Sequence, residues 1–393
     1  MYVILFIKTK DPLNPNALFL LFWLFTASLS SFEFFYDQNI QKSWSIEMKL
    51  VVLFSAVAFF IPSFFLTKFS LKKSSKNKLY FSYLYRKSIS ILFFLGITSF
   101  FIRFRINKYV PTLFLNSSDI KHLVPQSIPI LNYFELLLPY LSLVAIFEII
   151  YAHNLKTTRK YFLIFIYISG LFYSLFYLVS RGSLIIIITG TFYIIYRYTN
   201  ISTKKIVLFF LIFIILTSAF SIVRLNEQSL VLNRFDNNNN INMIASSIYT
   251  YTAYNFENLR KLVDDNFKKT GILYSGKFLL YPFFKNEYQN NVFNFIEKNT
   301  IFFNARTYLY GFYHDLGFFG IILYPFLLGI IITLITNISY FDSYFILIIA
   351  LLQKAIYFSF FGNYFFGELV IFFPYFILFL ILNLNKFRIK NLG

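Results

Sequence analysis

The strongest constraint on this chain is a series of long stretches without a single formal charge. Residues 12–32, 50–67, 88–102, 161–180, 182–196, 206–223, 316–341 and 369–385 contain no Asp, Glu, Lys or Arg. A bilayer's hydrocarbon core is about 30 Å thick, so a spanning helix needs roughly 20 mostly apolar residues, and these runs predict membrane helices. Two further segments, 129–151 and 343–362, are equally apolar but carry Glu135, Glu148 and Lys354. The expected fold is therefore an all-α polytopic membrane protein of about ten spans. Composition agrees: 58% of the 393 residues are hydrophobic and 13% charged, against about a quarter charged in soluble proteins. The stretch 161–196 would be about 54 Å long as one helix. It is expected to fold back at Ser180-Arg181-Gly182-Ser183, a polar, glycine-containing break that holds its one charged residue.

With no Cys and three His, disulfides and thiol catalysis are excluded and little is left for a zinc site. The apolar run Met1 to Ile7 is too short for the core and spacer of a signal peptide and stops at Lys8.

The net charge of +19 raises nucleic-acid binding, and the placement of the basic residues argues against it. If the N-terminus is cytoplasmic, the inner segments hold eighteen Lys and Arg, including Lys72, Lys73, Arg159, Arg197 and Arg388, and the short outer segments seven. That bias predicts cytoplasmic N- and C-termini. The basic excess follows inner membrane edges and forms no stripe that could track a nucleic-acid backbone.

The same orientation divides the chain into an N-terminal bundle (1–223, about seven spans), a large outer loop (224–315) and C-terminal helices (316–393, about three spans). The loop holds ten basic and eight acidic residues, so its length is what sets it apart. It contains a turn-like Asp236-Asn-Asn-Asn-Asn240 tract, a segment where Tyr251, Tyr254, Asn258, Leu259 and Leu262 recur at helical spacing, and Gly271-Ile-Leu-Tyr-Ser-Gly276. The helical spacing predicts an interfacial helix on the membrane surface. A loop of this length is expected to serve as a lid or substrate platform.

Ionisable residues inside a membrane are costly, so each is a functional candidate. Counted from the ends of their spans, Glu135, Lys354 and Glu368 lie roughly 8–12 Å beneath the outer surface at 1.5 Å per residue. Arg181, Arg224, Arg306, His314 and Asp315 fall at that same face, so different spans feed one layer of charge. Glu148 and His153 lie at the inner face and read as structural. Lys354 and Glu368 could neutralise each other, and Arg224 could be an interfacial anchor. Gly182, beside Arg181, would let a ligand approach the backbone closely. Arginine binds phosphate oxygens bidentately and keeps its charge, so this layer suits an anionic lipid head such as a pyrophosphate. A carboxylate or histidine nearby could take a proton from a sugar hydroxyl.

Two stretches, LVSRGSLIIIITG (Leu178 to Gly190) and NARTYLYGFYHDLGFFGIILYPFLLG (Asn304 to Gly329), together with the span count and single large loop, resemble the Wzy-type oligosaccharide repeat-unit polymerases of O-antigen and capsule. The resemblance implies a GT-C-like, metal-independent membrane glycosyltransferase. Such an enzyme joins undecaprenyl-diphosphate-linked repeat units at the outer face of the plasma membrane, without a cofactor and with a chain-length regulator as a possible partner. It also implies a motif of Arg, ten residues and Gly, which Arg306 to Gly317 matches. Arg181 departs from that spacing, since position 192 is Phe. On this reading Arg181, Arg306, His314, Asp315 and Glu135 are the catalytic candidates, and Arg224, Gly182, Gly317, Lys354 and Glu368 would bind substrate. The alternatives are an O-antigen ligase of similar architecture and a flippase for the same lipid. A flippase would be expected to show repeated halves and charge through the full depth of the bundle, and neither is visible in the sequence.

Overall fold

The computed structural model describes residues 1–32, 41–67, 78–107, 129–177, 181–199, 201–212, 249, 252, 255–264, 269–276, 280, 283–287, 306–365 and 369–390. Among them the regular structure is helical. The elements are α1 (Tyr2–Thr9), α2 (Pro15–Ser31), α3 (Ile46–Leu66), α4 (Tyr83–Asn107), α5 (Pro129–Tyr151), α6 (Thr157–Phe172), α7 (Arg181–Tyr198), α8 (Asn255–Asp264), α9 (Tyr308–Leu316), α10 (Phe318–Ser339), α11 (Ser343–Tyr357) and α12 (Leu369–Lys390). A π-helical turn, Tyr173–Tyr177, continues α6, and residues 203–212 are helical. The extended backbone contributes one isolated parallel bridge, Leu79 to Ala152.

On length and composition four helices can cross a membrane: Ile46–Leu66, Tyr83–Ile106, Ile130–Tyr151 and Phe318–Ser339, with mean hydropathies of 2.2, 1.8, 1.8 and 2.6. Pro15–Ser31, Gly182–Tyr198, Ser343–Tyr357 and Phe373–Leu384 are apolar but shorter. Large side chains point outward from these helices, among them Phe65 at 75% exposure and Phe319 at 63%. Water would not tolerate such an apolar exterior; the architecture is consistent with a helical membrane protein. Helix α7 starts at Arg181; Leu178 to Ser180, where the fold-back is expected, lie outside the described residues.

The packing divides the chain into two compact units. The first comprises Met1–Leu71, Leu211–Asn337 and Ala355–Ile371, the second Lys72–Phe210, Ile338–Lys354 and Phe372–Gly393. In the second, α5 packs against α4, α6 and α7. Close approach depends on small residues, as elsewhere in helix bundles without a hydrophobic driving force: a Cβ at Gly170 would come within 1.9 Å of the Ser142 hydroxyl.

In the first unit α8, from the hydrophilic segment, is built into the helices instead of resting on them. Helix α8 packs against α3 and α9, and Asn255 through Arg260, Leu262 and Val263 are all buried. Phe256 lies between Trp23 and Trp44, with ring centroids 5.0 and 5.6 Å away. The helical spacing seen at Asn258, Leu259 and Leu262 is thus a helix, but one enclosed by protein around most of its girth. Its charges explain how polar residues enter such a place: Arg260 pairs with Glu257 at 2.7 Å and with Asp264, and Ser45, the N-cap of α3, donates to Asp264 at 3.1 Å.

Candidate functional site

The motif from Arg306 to Gly317 is one helix with its two ends. Helix α9 fills Tyr308–Leu316, Thr307 precedes it, and Gly317 ends it with φ 59° and ψ −137°. That backbone conformation is essentially restricted to glycine, and the Gly317 N–H closes the last turn on the Tyr313 carbonyl at 2.7 Å. The spacing therefore sets Arg306 at one end of three helical turns and the chain reversal at the other. The helix is anchored from beneath by Tyr308, whose ring lies 4.8 Å from Trp23 and 5.2 Å from Phe19, and whose N–H donates to the Ser359 carbonyl at 2.8 Å.

A second segment, 269–276, is laid along this helix. The Asp315 carboxylate is buried and accepts from the Tyr274 N–H and the Thr270 hydroxyl at Oδ1 and from the Ser275 N–H at Oδ2, each at 2.8 Å. The main chain reinforces the arrangement, since the Gly271 N–H donates to the Asp315 carbonyl at 3.0 Å. Burial raises the carboxyl above the usual aspartate value, against these hydrogen bonds. Tyr274 can lie flat on α9 because residue 311 has no side chain: a Cβ there would sit 2.8 Å from the Tyr274 ring.

Pinned in this way, Tyr274 reaches both remaining members of the cluster. Its hydroxyl accepts from Arg306 Nη1 at 2.8 Å, and its ring lies 5.0 Å from that of His314. The Arg306 guanidinium also sits over the Tyr310 ring at 5.1 Å, a cation–π arrangement. It makes no ion pair with a carboxylate among the described residues. Buried His314 is held neutral: desolvation, with Arg306 adding to it, lowers its pKa from 6.5 to about 4. The cluster thus presents a positive charge beside a neutral imidazole, with its carboxylate turned inward onto backbone donors. Such a place favours an anion.

Of the other candidates, Glu135, Arg181, Gly182 and Lys354 belong to the second unit. Glu135 is buried against Arg103 at 3.1 Å and accepts from the Tyr173 hydroxyl at 3.1 Å. Arg103 also donates to Asn132 at 2.9 Å. Arg181 and Gly182 begin α7. Lys354 is half-buried on α11. Glu148 is held by Arg159 through two hydrogen bonds of 3.1 and 2.9 Å and by Arg86 at 3.3 Å. His153 stacks on Tyr80 at 4.7 Å. Arg224, Glu368, Tyr251, Tyr254 and the Asp236–Asn240 tract lie outside the described residues.

Sequence reasoning did not assign a role to Thr270, Tyr274, Ser275 or Tyr310. The sequence singled out Gly271 to Gly276 without giving the segment a role, and nothing local ties it to a carboxylate 41 residues away. Comparison with protein-family models, curated proteins and solved structures finds no match to this chain.

Proposed function

We propose that this chain is a metal-independent membrane glycosyltransferase that polymerises undecaprenyl-diphosphate-linked oligosaccharide repeat units into O-antigen or capsular polysaccharide. In this reading it has about ten spans in a GT-C-like arrangement, sits in the plasma membrane with both termini cytoplasmic, and works on the outer face. The observation that carries it is Arg306: a guanidinium held by Tyr274 and Tyr310, opposed by no described carboxylate, at the head of an Arg-to-Gly spacing that resembles the polymerase motif.

The growing chain is the donor, held by its lipid pyrophosphate, and the nonreducing-end sugar of an incoming lipid-linked unit is the acceptor. An acceptor hydroxyl forms a bond to the donor's anomeric carbon as the bond from that carbon to the pyrophosphate oxygen breaks. Charge develops on the departing pyrophosphate, where Arg306 stabilises it by electrostatic preorganisation. The hydroxyl proton passes to a base. His314 is the best placed of the named candidates, because both oxygens of Asp315 already accept N–H donors and Glu135 is paired with Arg103.

Arg306→Ala, expressed at the wild-type level in a strain deleted for the native gene, should leave single lipid-linked units and abolish long polymer. Each missing phosphate clamp of this kind costs on the order of 100-fold or more in rate. Unchanged polymer length would overturn the assignment. Long chains that accumulate unattached would instead identify a ligase.

A further inference from the structure

Thr270 lies between two groups that compete for its single proton. Its Oγ1 is 2.8 Å from Asp315 Oδ1 and 2.9 Å from His314 Nδ1, and a third neighbour, the His314 carbonyl oxygen, is 3.4 Å away. A hydroxyl has one proton to donate and two lone pairs with which to accept. Two backbone N–H donors, Tyr274 on Oδ1 and Ser275 on Oδ2, favour the ionised form of Asp315, and an ionised carboxylate has no proton to give and can only accept. The Thr270 proton therefore goes to the carboxylate. The hydroxyl oxygen is left as an acceptor toward Nδ1, and that nitrogen must carry hydrogen.

We infer that Asp315 and Thr270 form a relay that fixes His314 as its Nδ1–H tautomer, which puts the in-plane lone pair of the ring on Nε2. Thr270 is a positioning residue for the imidazole, acting through it and touching no substrate itself. The usual arrangement of such groups has a carboxylate bonding the imidazole directly and thereby setting its tautomer. Here a hydroxyl is interposed, and the negative charge stays one bond further from the ring. Two consequences follow from that distance. The ring remains neutral, in keeping with its environment of Arg306, Tyr274 and Tyr310. Asp315 is also free to hold the 269–276 segment with its other lone pairs, so one carboxylate both folds the segment and orients the base. The part that concerns proton transfer rests on the polymerase reading; the tautomer does not.

Three histidines make the tautomer directly readable. Full-length protein labelled with ¹⁵N-histidine in lipid nanodiscs, with His314→Gln identifying the His314 signals, should show at pH 7 a protonated Nδ1 and an unprotonated Nε2. Thr270→Val keeps the shape of the side chain and removes the hydroxyl, and should shift His314 to a mixture or to the Nε2–H form. Thr270→Ser should preserve the wild-type spectrum. A wild-type ring protonated at Nε2, or a Thr270→Val ring indistinguishable from wild type, would overturn the inference. Should the valine variant unfold, the wild-type and serine spectra still decide it. Polymer length separates this from the polymerase reading: the predicted tautomer with unaltered polymer in His314→Gln would leave the relay standing and remove His314 from the chemistry.

Discussion

His314 illustrates how one residue's surroundings translate into a measurable pH dependence. Its folded pKa of about 4 lies below the ordinary 6.5, with burial the larger cause and Arg306 the second. In the unfolded chain the ring takes up a proton as pH falls through about 6.5, whereas in the folded chain it resists until about 4. The stability this group contributes is therefore present above pH 6.5 and is lost as pH falls from there toward 4. Thermal unfolding in detergent at pH 7 and pH 5 should show a larger loss for the wild type than for His314→Gln. Equal losses would mean that the ring is not desolvated as described. At the same scale, Arg306 and Asp315 show why residue type alone does not assign a role. The arginine is left facing no described carboxylate, while the aspartate, an equally plausible base from the sequence, is occupied by three donors.

At the scale of elements, the clearest case is helix α9, whose length sets the distance between Arg306 and Gly317. Gly317→Ala would force a side chain into a glycine conformation and press a Cβ against Lys269, 2.5 Å away. The backbone strain should cost about 1–3 kcal/mol. Because the reversal also sets where Asp315 meets the 269–276 segment, polymer length should fall along with the melting temperature; a variant as stable and active as wild type would show the reversal to be unstrained. A second element-scale feature lies on α5. Glu148 is fully buried, and its carboxylate unites Arg159 from α6 and Arg86 from α4. Glu148→Ala would strand two guanidinium groups, and removing one partner of a buried pair typically costs about 3–5 kcal/mol. Unfolding measurements on Glu148→Ala beside Arg86→Ala should show the former to be the more damaging, since Arg86 is 30% exposed and Glu148 retains Arg159 without it.

For the molecule as a whole, the distribution of Lys and Arg argues for cytoplasmic termini, and the chain offers a direct test. It has no Cys, so single cysteines can be introduced into an unreactive background. Cysteines at Lys10 and Lys156 should be shielded from an impermeant thiol reagent in intact cells, and one at Lys285, in the long hydrophilic segment, should react. Labelling at Lys10 with protection at Lys285 would reverse the proposed orientation and place the Arg306 cluster on the cytoplasmic side. Arg197, one of the basic residues in that distribution, is 2% exposed, with its guanidinium 4.2 Å from the centre of the Tyr340 ring.

Helix content and approximate boundaries could be read from residue order because they follow from local physics. A charge-free run about the length of a membrane core has few ways to satisfy its backbone other than a helix, and α2, α3, α10 and α12 lie largely within such runs. Helix α9 was not legible in this way, because it lies in the hydrophilic segment and carries His314 and Asp315; the sequence marked its two ends only through the Arg306 to Gly317 spacing. The clasp around Asp315 was not legible either, because it joins residues 40 to 45 positions apart, and a sequence carries no local sign of which distant backbone N–H groups will meet a carboxylate. The spacing singled out Arg306 and Gly317 as a pair. Only the tertiary structure enclosed α8 between α3 and α9, laid Tyr274 over Gly311, and turned Asp315 inward, since each depends on packing between segments brought together by the fold.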